Sequence, residues 1–136
     1  MSLDKEIRGP RTFLLPVPGQ ATAGTADEFI GMIVPFDMTI TGVKWIPKAA
    51  VTADPTNFFT LNLRNRKADA SGSALPASRA YSATNSVAFV AEAMTLSSTA
   101  ADLLLSAGDV LTVSKVNSGT GLAMPGGTVQ VTAQAR

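Results

Sequence analysis

Ten carboxylates are the most promising chemical groups in this sequence, because it contains no histidine and no cysteine. That absence alone excludes thiolate nucleophiles, disulfides, zinc held by thiolate or imidazole, and Ser-His triads. A glycosidase needs two carboxylates facing each other across a cleft. The acids are Asp4, Glu6, Asp27, Glu28, Asp37, Asp54, Asp69, Glu92, Asp102 and Asp109. Most stand in apparent turns, where an aspartate ordinarily accepts hydrogen bonds from nearby backbone amides. No spacing singles out a pair, and no loop gathers the several oxygen ligands that calcium requires. Asp27-Glu28 reads as polarity at the start of a strand. The stretch Gly121-Leu122-Ala123-Met124-Pro125-Gly126-Gly127 is rich in glycine. It leads into a strand, whereas a phosphate cradle uses glycines that open a helix, so it reads as a hairpin loop. Trp45 and Tyr81 are the only indole and phenol. A sugar-binding face displays several exposed aromatics, and one Trp on an alternating strand reads as core. The expectation is a protein without catalytic residues, metal ligands or cofactor, and hence not an enzyme.

Charge narrows the partners. The net charge is +1, and Arg64, Arg66 and Lys67 are the only close basic cluster, where nucleic-acid binding needs a distinctly basic face. Arg64 and Arg66 would share one face of a strand and read as a solvated strand end. No stretch approaches the roughly 20 apolar residues of a membrane-spanning helix. The beginning, Met1-Ser2-Leu3-Asp4-Lys5-Glu6, lacks the apolar core of a secretory signal, so synthesis in the cytoplasm and a soluble product are expected. Neither nucleic acid nor membrane is an expected partner.

The elements that would position these side chains are short strands. Residues 1–11 are charged, mixed in sign and end near Gly9-Pro10, which reads as an extended N-terminal arm. From residue 12 to 136 short apolar runs alternate with Gly, Pro, Asn and Asp, the spacing of a single all-β domain. Residues 12–17 carry Pro16 and can form only an edge strand or an extended segment. A strand over 28–34 follows. In 38–46, Met38 and Ile40 share one face and Val43 and Trp45 share the other, unless one residue is inserted. Gly42 sits at the switch, so a β-bulge there is expected to turn all four into the core. Asp54-Pro55 reads as a turn. The strand at 57–65 alternates Phe59, Leu61 and Leu63 with Thr60, Asn62 and Arg64. A strand around Tyr81 at 77–83, another at 86–91 with Val87 and Phe89 in register, and an extension at 94–96 are expected. Residues 97–105 could form a helix of a turn or two. Asp109 reads as part of a tight turn into a strand at 110–116. The last strand, 128–133, points Val129 and Val131 inward. Roughly eight strands without a long helix indicate an antiparallel β-sandwich of jelly-roll type.

The hydrophobic fraction is 46% and the charged fraction 15%, against roughly a quarter for average domains. The surface must therefore be largely Ala, Ser, Thr, Asn and Gly, which suits packing against neighbouring protein. The runs Thr39-Ile40-Thr41-Gly42-Val43-Lys44-Trp45-Ile46-Pro47 and Asn57-Phe58-Phe59-Thr60-Leu61-Asn62-Leu63-Arg64-Asn65 resemble the small β-rich virion proteins of tailed bacteriophages. The segments at 96–111, with Ala107-Gly108-Asp109-Val110-Leu111, and at 119–131 are similar too. Together the resemblance spans about residues 28–133. It implies a capsid decoration (cement) protein or a related head-fibre base on the capsid exterior. Its partner would be the major capsid protein, and it would act as a homo-oligomer, a trimer, that bridges capsid subunits against the pressure of packaged DNA. In that setting the arm would supply the tether, with Lys5, Glu6, Arg8, Arg11 and Phe13 as the capsid-binding residues. The alternative is a tail or fibre module that binds a host-surface glycan or protein. A third reading is an unrelated β-sandwich.

Overall fold

The computed structural model describes residues 9–136. Over this span the chain forms two antiparallel sheets. The first sheet runs β1 (Pro10–Val17), β10 (Gly127–Ala135), β3 (Met38–Pro47) and β6 (Glu92–Ala93), with β8 (Leu104–Leu105) also on β3. The second runs β2 (Asp27–Ile33), β9 (Val110–Ser118), β4 (Phe58–Asn65), β5 (Ala74–Ala80) and β7 (Thr95–Leu96). The expected all-β sandwich is what forms. Residues 97–105 yield one 3-10 turn, Ala100–Leu103, and no α-helix.

Alternation of apolar and polar residues places the core. Phe59, Leu61 and Leu63 from β4 meet Val129, Val131 and Trp45 from the first sheet, all fully buried. The bulge at Gly42 does what the sequence required. Thr132 pairs with Gly42 and Ala133 with Ile40, which leaves Thr41 over and turns Met38, Ile40, Val43 and Trp45 inward together. β2 holds a second bulge that its sequence did not announce. Ile30 pairs with Thr112 and Met32 with Leu111, so Gly31 is the extra residue. Phe29 and Met32 both pack on the core, while Ile30 and Ile33 both face solvent.

Several expectations are corrected. Pro10 and Arg11 stand inside β1, opposite Gln134 and Ala133, so the strand begins two residues before position 12. β1 is an edge strand, as Pro16 demanded. The strand near Tyr81 lies earlier, at Ala74–Ala80, and Tyr81 follows its end. Residues 86–91 are not a strand: Ser86 makes an isolated bridge to Val51, and the chain then leaves the sheet. One charged strand residue breaks the polarity rule. Lys115 of β9 is fully buried, and its ammonium donates to the carbonyls of Thr22 (3.4 Å) and Ala23 (3.1 Å) above the Phe59 ring. Burial pushes its pKa down.

Candidate interaction surface

The residues that follow β5 form a loop with apolar side chains outside and a polar clamp inside. Val87, Phe89 and Val90 are 63%, 75% and 52% exposed. The alternation of Val87 and Phe89 predicted a buried strand face, and the structure reverses it. Phe89 has φ of +63°, in the left-handed region that a side chain with a Cβ rarely adopts. A conformation of this kind costs on the order of 1–3 kcal/mol and persists only where its surroundings enforce it.

The enforcement starts at the indole of Trp45, which donates to the Tyr81 hydroxyl at 2.9 Å. Tyr81 Oη lies 2.7 Å from Ser86 Oγ, and Ser86 Oγ lies 2.6 Å from Glu92 Oε1. The indole can only donate and the carboxylate can only accept; Tyr81 Oη also lies 3.2 Å from Glu92 Oε1, so both hydroxyls reach that carboxylate, and either can supply the proton between Tyr81 and Ser86. Arg79 closes the chain. Its guanidinium is 3.2 Å from Glu92 Oε2, donates to the carbonyls of Ala80 and Thr84, and stacks 4.0 Å from the Tyr81 ring centroid. Burial raises the Glu92 carboxyl, but the hydrogen bonds from Ser86 and Arg79 outweigh it and hold the pKa below its ordinary value. Burial raises the Tyr81 hydroxyl, with Glu92 adding to the effect. Backbone bonds complete the anchorage. Ser86 and Val51 exchange N–H···O bonds, Asn85 Oδ1 accepts from the Ala53 amide, and the Phe89 amide donates to Pro47 at 2.8 Å. Phe89 thus stands at the rim of a groove of about 500 Å³ lined by Pro18, Ile46, Pro47, Lys48 and Thr128.

A second polar cluster lies on the outer face of the second sheet. Arg66 grips Glu28 with two bonds of 2.6 and 2.7 Å, Thr112 Oγ1 donates to the same carboxylate, and Arg64 approaches to 3.8 Å. The Arg66 hydrogen bonds dominate; they outweigh burial and, with Thr112 and the two arginine charges, lower the Glu28 pKa to about 2. Arg64 and Arg66 are therefore partners of Glu28, where the sequence suggested a solvated strand end.

Three further acids sit as turn chemistry predicts. Asp54 accepts from the amides of Thr56 and Asn57, Asp69 from Ser71, and Asp109 from the Ser106 amide and the Asn65 side chain. Glu28 and Glu92 are each held ionised by arginine, so neither is placed to deliver a proton. Ser86 is buried against its carboxylate and closed to substrate.

Of the arm residues, Lys5, Glu6 and Arg8 lie outside the described residues. Arg11 and Phe13 lie in β1 on its inward row. Phe13 packs on the core, and the Arg11 guanidinium sits 5.8 Å from the Phe36 ring centroid and donates to the Gly9 carbonyl. The structure brings neither to the Phe89 loop. Sequence patterning missed that loop because an exposed and a buried alternation look alike. The available signal was chemical: Arg79, Tyr81, Ser86 and Glu92 crowd one 14-residue stretch otherwise made of small and apolar residues.

Comparison with protein-family models, with curated proteins and with solved structures finds no match to this chain.

Proposed function

We propose that this chain is a structural virion protein that binds the outside of a tailed-phage capsid and stabilises it, with no chemistry of its own. The observation that carries the reading is Phe89, an aromatic side chain placed in solvent against its backbone preference and clamped there by a buried network. Strain of this kind is retained where a protruding anchor is useful, and aromatic anchors dominate protein–protein contacts. A host-glycan module fits less well. Trp45 and Tyr81, the two rings best suited to stacking on sugars, are both spent in the core.

We read the sandwich as a jelly roll like those of the virion proteins that the sequence resembles, and the strand orders β1-β10-β3-β6 and β2-β9-β4-β5 support that reading. We read the chain as the subunit of a homotrimer set on the major capsid protein. The test is co-sedimentation with heads assembled without this chain. Wild-type protein is expected to saturate the heads, and Phe89→Asp to lose at least about tenfold in affinity while folding normally. Equal binding by the two proteins would overturn the role of the loop.

A further inference from the structure

The Phe89 loop adjoins a sheet face whose composition sets it apart. Four rows cross the outer side of the first sheet: Pro16-Thr128-Ile46, Leu14-Gln130-Lys44, Thr12-Thr132-Gly42 and Pro10-Gln134-Thr39. Lys44 pairs onward with Ala93, and Thr39 with Leu104. Among the described strand residues on this face, Lys44 is the one ionisable side chain. At the Phe89 end the face runs into the groove that contains Lys48. The opposite sheet differs, since its outer side carries Glu28 and Arg64 with Arg66 beside them. Leu14 is 62% exposed and Leu104 is partly exposed, so apolar side chains stand on the low-charge face itself.

From these observations we infer that the outer face of the first sheet, continuous with Phe89, is the docking face, and that its partner is a repeating protein surface bearing carboxylates opposite Lys44 and Lys48. The inference rests on the reading of the chain as a capsid-bound structural protein and specifies how it binds. Charge complementarity selects the occupant. Among the described residues the face offers two ammonium groups and no carboxylate, so a second copy presenting the same residues would bring lysine to lysine with nothing among them to neutralise the charge. Area selects the mode. Strands of about eight residues at about 3.3 Å per residue and about 4.8 Å spacing give a sheet face of roughly 450 Å². An exposed Phe adds about 150 Å². The total falls below the roughly 800 Å² per partner of a standard stable interface. Each contact is individually weak, and occupancy comes from several subunits engaging one lattice together.

Gly42 provides a clean way to block this face. It has an ordinary φ, and a Cβ placed on it meets nothing within 4 Å, so a long side chain there projects from the face without disturbing the core. Heads assembled without this chain are titrated with wild type, Gly42→Arg, the pair Lys44→Glu with Lys48→Glu, and Val116→Glu on the outer face of β9. Circular dichroism and thermal melting check each variant for folding. Wild type and Val116→Glu are expected to bind alike, while Gly42→Arg and the double charge reversal each lose at least about tenfold. Loss in Val116→Glu with binding intact in Gly42→Arg overturns the choice of face and leaves the capsid-binding reading in place. A wild-type oligomer that Gly42→Arg converts to monomer overturns the choice of partner. No binding by wild type at any concentration removes the capsid reading, and this inference with it.

Discussion

Glu28 and Phe89 show how much a single residue's surroundings decide. The Arg66 hydrogen bonds, with Thr112 and the arginine charges, hold the folded Glu28 pKa down to about 2 from its ordinary value of about 4.5. Its folded pKa is depressed, so its contribution is fully present above about pH 4.5 and fades as the pH falls through about 2. Urea unfolding of wild type and Glu28→Gln across that range is expected to give curves that converge toward the acid end, with wild type the more stable at neutral pH. Parallel curves would contradict the ion pair with Arg66. Neither residue's environment is legible in the sequence. Glu28 sits 38 positions from Arg66 and 84 from Thr112, and meets them only because β2 lies beside β9. Phe89 keeps the two-residue period of a buried strand, and a period records residue type without recording which way a loop turns. Lys115 is the converse case: a charged residue inside a strand whose burial depends on carbonyls 92 and 93 positions away.

At the scale of elements, two bulges do the same work with different tolerance. The bulge in β3 was legible because the apolar residues of 38–46 change phase at a glycine. The bulge in β2 was not, since Phe29, Ile30, Met32 and Ile33 are all apolar and no phase change shows. Their glycines differ in what surrounds them. A Cβ on Gly31 would stand 2.8 Å from the Leu111 carbonyl and 3.0 Å from Leu15 of the facing sheet, while one on Gly42 meets open space. Gly31→Ala is therefore expected to destabilise the fold by about 1–3 kcal/mol. Gly42→Ala is expected to be neutral or slightly stabilising, within about 0.5 kcal/mol. Chemical denaturation of the two variants checks the pair, and similar losses in both would contradict the packing described. β4 and β10 were legible because their apolar residues keep strict alternation, Phe59, Leu61 and Leu63 in one and Val129 and Val131 in the other, although Asn62 on the opposite face of β4 is buried as well. β6, β7 and β8 were not, because two-residue strands are fixed by their neighbours and leave no period to read.

At the scale of the whole molecule, the sandwich has one nearly uncharged outer face and one crossed by ion pairs, with an aromatic anchor at the end of the former. That asymmetry suits a subunit held on a lattice by many weak contacts, each below the area of a stable one-to-one interface. The low overall charge was legible in composition; its concentration on one sheet became visible only once the strands were paired. We have proposed that the chain covers a capsid. Quantitative mass spectrometry of purified tailed-phage particles from the source, measuring this chain against the major capsid protein, tests this most directly. A copy number near that of the capsid subunits or of their three-fold positions is the predicted result; a few copies per particle, or none, would contradict it.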